Sequence, residues 1–153
     1  MAQINLPRVI LGGIVAGIVI NVCEGLLNGV IFASQWGAEM TRLNLPASPS
    51  TKTLIALNVW GFAVGILTVW LYAAIRPRFG AGPKTAMLAG MIVWFSSYAL
   101  ASAVPVFLHI YRAELAATAV AIEIIEMLIA GVAGAYFYKE DSAPVPVTSA
   151  ASA

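Results

Sequence analysis

The chain has 153 residues, of which 61% are hydrophobic and 10% charged, and its mean hydropathy is +0.90. Water-soluble domains run at roughly 45–50% apolar and about 25% charged, so this composition excludes an ordinary soluble fold. A formal net charge of +1 leaves no basic surface for a phosphate backbone, and no nucleic-acid partner is expected. The single cysteine, Cys23, excludes an internal disulfide, CxxC redox chemistry and a thiolate metal cluster within one chain. Set in an apolar run, Cys23 reads as a small buried hydrophobe.

In chain order, a short polar lead gives way at Arg8 to an apolar run over 9–32. That run is longer than the roughly 7–15 residues of a signal-peptide core, and it is read as a first transmembrane helix. Residues 33–52 form a connection with Pro46 and Pro49; Trp36, Met40 and Leu43 recur in it at helical spacing and could lie along the interface. A second span covers 53–75, followed by a breaker-rich turn from Arg76 to Pro83. The third covers 84–107, where Pro105 removes a backbone donor and ends or kinks the helix. After a tight link at 109–112 comes the fourth span, over 113–138. Residues 140–153 turn to Ser, Ala, Pro and Val and are expected to be a disordered tail after a single four-span domain over 1–139. The expected architecture is all-α, an integral membrane four-helix bundle with the lipid bilayer as its solvent.

Four spans put both termini on one side, with Arg8, Arg76, Arg78, Lys84 and Lys139, and leave Arg42, Lys52 and Arg112 on the other. The positive-inside rule then places both termini in the cytoplasm. Trp36, Tyr111, Tyr136 and Tyr138 lie near span ends, where interfacial anchors are expected.

At about 100° per residue each span gathers its small and polar residues on one stripe. These are Gly13, Gly17, Asn21, Glu24 and Asn28 in the first and Asn58, Gly61, Gly65, Thr68 and Tyr72 in the second. The third has Gly90, Ser97 and Ala101 with Trp94 at the edge, and the fourth Ala116, Ala119, Glu123, Glu126, Ala130 and Gly134. Gly13/Gly17, Gly25/Gly29 and Gly61/Gly65 are GxxxG pairs, which let helix backbones approach closely in lipid. A faint two-plus-two repeat is visible in Leu11-Gly12-Gly13 against Leu88-Ala89-Gly90.

Tight packing accounts for the glycines but not for the acids. Ionisable groups at membrane depth are costly and point to function, and no Lys, Arg or His falls at the depth of Glu24, Glu123 and Glu126. Three such acids cannot all be ionised in low dielectric. They must share protons, bind a cation, or accept hydrogen bonds from neighbours, proton sharing being the default. Asn21, Asn28 and Asn58 complete the candidate ligand set, in a polar cavity expected to open away from the termini. A di-iron centre would need Glu-x-x-His on two helices, whereas Glu123 and Glu126 make Glu-x-x-Glu and the lone His109 sits at a helix end. A hard-cation site of carboxylate and amide oxygens matches better. No catalytic residue is assigned, since there is no Ser-His-Asp set, phosphate loop or zinc motif. The metal and any cofactor stay open.

Leu11-Gly12-Gly13, Asn21-Val22-Cys23-Glu24, the run 71–80 and Gly82-Pro83-Lys84-Thr85 resemble a group of small bacterial hypothetical membrane proteins with four spans, over about residues 8–138. The resemblance implies a multi-pass protein of the bacterial inner membrane; it carries topology and no chemistry. The leading expectation is a small polytopic protein whose buried carboxylates bind protons, a cation or a small polar ligand. The alternative is an accessory subunit docking a larger membrane complex, or a second copy of itself, with no chemistry of its own. A quinone-linked oxidoreductase ranks third.

Overall fold

The computed structural model describes residues 4–140, and among them every regular element is helical. Helix α1 (Leu6–Leu26) continues through a π-helical turn (Leu27–Ile31) into the short α2 (Ala33–Arg42). Then come α3 (Thr51–Phe79), α4 (Pro83–Trp94), a second π-helical turn (Phe95–Ala99), α5 (Leu100–Phe107) and α6 (Ala113–Phe137). Four of the resulting rods, Leu6–Ile31, Thr51–Phe79, Pro83–Phe107 and Ala113–Phe137, are long and apolar enough to cross a membrane. The protein is a multi-pass, all-α membrane bundle.

Local signals account for most helix ends. The Asn5 side chain accepts from the Arg8 amide at the start of α1, and Ser50 accepts from the Thr53 amide at the start of α3. The second span is longer than expected at both ends. Pro77 lies inside its last turn, where few bonds remain to lose, and the helix stops only at Gly80, whose φ of +86° few other residues adopt. Pro105 likewise sits within the last turn of α5 without ending it. The connection over 33–52 is half helix, since α2 fills its first part. The tail expected over 140–153 lies outside the described residues from Asp141 onward.

The spans alternate in direction and close into a ring in which α1 packs on α3 and α6, and α4 on α3 and α6. We call the half carrying Leu6, Gly80 and Tyr138 proximal, and the half carrying α2 and the α5–α6 link distal. The proximal half is held by backbone contact. A Cβ added at Gly65 would stand 2.6 Å from the Gly13 carbonyl oxygen and 2.8 Å from the Gly17 Cα. One added at Gly134 would stand 2.8 Å from the Gly12 carbonyl oxygen, and one at Gly131 2.8 Å from that of Ala86. Thr68, Val69, Met127 and Ala130 fill the middle with no exposed surface. Ile10, Ile14, Ile18, Val22 and Leu26, four residues apart, form the opposite, exposed apolar stripe of α1.

Three expectations are corrected by the structure. Gly25 and Gly29 have open space where a Cβ would go, so this GxxxG pair packs against nothing among the described residues. Cys23 is half-buried rather than sealed in the core. Tyr138, expected as an interfacial anchor, is also buried: its ring meets Tyr72 edge-on at 5.9 Å and lies under the Arg76 guanidinium.

Candidate functional site

The acids of the spans meet where the tight proximal packing ends. From α6, Glu123 and Glu126 project inward and are 6% and 3% exposed. From α1, which packs against α6 with Gly12 on Gly134, the half-buried Glu24 comes in at the same level. Its carboxylate accepts from the Asn28 amide, and the Asn28 carbonyl oxygen accepts from the Trp36 indole N–H at 2.8 Å. The chain Glu24–Asn28–Trp36 thus climbs from the acids along the π-helical turn to α2.

From the other side comes Tyr98, carried by the second π-helical turn and 5% exposed. Its hydroxyl donates to Glu126 Oε1 at 3.5 Å. The ring of Tyr98 meets Trp60 of α3 edge-on, with centroids 5.3 Å apart. Trp94 ties the third span to α6 just distal to Glu123, its indole N–H donating to the Val120 carbonyl at 2.9 Å.

Donors then run out. Glu123 Oε2 and Glu126 Oε2 are buried with no hydrogen-bond partner. A buried acceptor left unmade costs about 1–3 kcal/mol, and more if charged, so these two atoms call for a proton or a ligand. Among the described residues no three His, Cys, Asp or Glu side chains converge closely enough to hold a metal ion. The carboxylates are neighbours and do not form the chelate that a hard-cation site needs.

The amides divide. Asn28 belongs to the acid cluster. Asn21 instead reaches across to α3, donating to the Asn58 carbonyl at 3.2 Å through the space left by Gly61. Asn58 itself is exposed, and its side chain turns back to the Leu54 carbonyl at 2.9 Å, away from the acids. His109 is exposed at the α5–α6 link with a φ of +56°.

A fourth acid is buried outside the spans. Glu39 of α2 is 2% exposed and receives Arg42 at 2.8 and 3.1 Å and the Arg112 backbone amide at 2.7 Å, with the Arg112 guanidinium 3.4 Å away. Arg42 also donates to the Ile110 carbonyl. The Arg42 hydrogen bonds outweigh desolvation and, with the Arg112 amide, hold the Glu39 carboxyl below its usual range; Glu39 in turn raises Arg42. The shielding is local, because these few groups wrap the carboxylate at the rim of the bundle. Together with Trp36 on Tyr111, edge-on at 5.6 Å, this clamp fixes α2 to the start of α6.

Compared with protein-family models, with curated proteins and with solved structures, the chain finds no match.

Proposed function

We propose that this is a bacterial inner-membrane protein whose Glu24, Glu123 and Glu126 form one proton-holding site at the foot of its distal half. The observation that carries the reading is the pair of donor-less carboxylate oxygens on Glu123 and Glu126, beside a third acid and away from any basic side chain. A protonated carboxyl supplies its own O–H, so protons shared among the three acids provide the missing donors. Tyr98 and Asn28 orient two of the acids, and Trp36 ties Asn28 to α2. The test is infrared titration of the carboxyl bands in the wild type and in Glu24→Gln. The Glu123 and Glu126 bands are expected to move when Glu24 loses its charge. Identical bands in the two proteins would dissolve the shared site.

The accessory-subunit reading has one observation of its own, the open GxxxG face at Gly25 and Gly29. Identical bands in that titration would put this reading first.

The orientation we infer has the distal half facing out. Five Lys and Arg side chains lie at the proximal end, and of the three at the distal end two are engaged by Glu39. Reporter fusions at Ala153 and Ser48 should give opposite signals, cytoplasmic for Ala153. The reverse pattern would invert the protein.

A further inference from the structure

We infer that the carboxylate site takes a lipophilic organic cation, admitted sideways from the membrane between α3 and the third span where Trp60 covers Tyr98. The inference rests on the proton-holding reading and names what exchanges with the proton.

Charge sets the first requirement. Two carboxylate oxygens in the interior lack donors, and once either group is ionised a positive charge beside it offsets the cost of its burial. Geometry sets the second. The acids do not converge as a chelate, so the site suits a charge spread over an organic body better than a bare metal ion. The aromatic rings supply what such a body needs. Tyr98 joins its hydroxyl to Glu126 and its ring to Trp60, and an aromatic face beside an anion attracts organic cations strongly when water is excluded.

Access sets the third requirement. Every residue of α3 from Thr51 to Trp60 is exposed, whereas the same helix is buried at Gly61, Val64, Gly65, Thr68 and Val69. α5, on the far side of this gap, buries no residue at all. Trp60 is 42% exposed and Tyr98 5%, so the indole is the outer of the two rings and the one that must swing for entry. Leu54, Ile55, Leu57 and Val59 around the approach are exposed and apolar. In a membrane they face lipid, which selects a ligand with an apolar body. The π-helical turn that carries Tyr98 is a weak point in an otherwise regular rod, and such turns cluster at functional sites.

Exchange balances simply. The cation enters, a neutral carboxyl of the Glu123–Glu126 pair releases its proton to water, and the new carboxylate pairs with the cation. One positive charge replaces another, and no bond other than O–H is broken.

The probe is tetraphenylphosphonium, whose charge is permanent, so any proton released comes from the protein. With the full chain in lipid nanodiscs, equilibrium dialysis should show saturable uptake, with release of protons into weak buffer in step with it. Glu126→Gln, nearly the same shape, should weaken uptake about tenfold and remove most of the release. Trp60→Ala, at an exposed ring with little folding role, should weaken uptake severalfold while leaving the carboxyl infrared bands in place. Uptake that does not saturate, or is equal in all three proteins, is partition into lipid only and overturns the inference. Saturable uptake without proton release overturns it too. No uptake, with infrared bands that still respond to Glu24→Gln, removes the cation and leaves the proton-holding site standing. Bands that ignore Glu24→Gln remove both.

Discussion

The two halves of this bundle are built by different rules. In the proximal half, backbones touch through Gly12, Gly13, Gly17, Gly65, Gly131 and Gly134, and the side chains between them are small or fully enclosed. In the distal half α3 stands exposed over Thr51–Trp60, α5 buries nothing, and both π-helical turns occur. Lipid gives helices no hydrophobic reason to associate, so close van der Waals contact must do it, and small residues permit that contact. Where the glycines stop facing partners, the rods part. The acids occupy the level at which this happens. They are deep enough to be sheltered and stand where the backbone contacts end.

That contrast can be broken most sharply at Gly65. Gly65→Leu would drive a side chain into the backbone of α1, and overpacking of this kind costs about 1–3 kcal/mol or more where backbone must move. A large fall in apparent Tm in detergent, or loss of folded protein, is expected. An unchanged melt would mean that the proximal half is as loose as the distal one. A smaller, local effect is expected at Glu39. Glu39→Gln leaves Arg42 and Arg112 without their anion, and hydrogen exchange over residues 33–42 should quicken while the spans stay protected. The pH dependence has a definite sign. Folded Glu39 keeps its charge to lower pH than the unfolded chain does, so its contribution is complete above the ordinary carboxylate range. It is lost as pH falls through the lowered value. Wild-type α2 should therefore loosen in acid, after correction for intrinsic exchange, and the Gln variant should already be loose at neutral pH. Protection in the variant equal to wild type would show that apolar contacts alone hold α2. The smallest effect belongs to Gly29→Leu, for which open space predicts no loss of Tm. A fall like that of Gly65→Leu would show that a second molecule covers this face.

The spans and the proximal stripes were legible because lipid imposes simple rules: long apolar runs, and small residues recurring every three or four. Gly61, Gly65, Thr68 and Tyr72 are all buried, as are Ala116, Ala119, Glu123, Glu126, Ala130 and Gly134. The same extrapolation at about 100° per residue misplaced the third span, putting Ser97 on the inner meridian and passing over Tyr98. A π-helical turn takes more residues per revolution, so across Phe95–Ala99 the inward position slips by one, and Tyr98 arrives where Ser97 was expected. Asn58 failed for another reason. Its stripe is correct, but α3 is exposed along Thr51–Trp60, so Asn21 reaches only its backbone carbonyl and its side chain stays outside the interior. Glu39 had only one local sign, Arg42 three residues on, because its other partner, Arg112, lies 73 positions away in the chain.

The acids of α6 also bear on how the protein is made. The span carrying Glu123 and Glu126 has a mean hydropathy of 2.0, nearly that of the first span at 2.1, so it enters the bilayer on its own apolar content. On arrival its two acids have no partner, and in bare lipid a carboxyl is held most cheaply as the neutral acid. α1 and α3 precede α6 in the chain and meet through their glycines, and α6 packs against Gly12 and Ala16 of α1. If the three acids hold protons as proposed, α6 brings them with it as it packs against α1, and assembly loads the site.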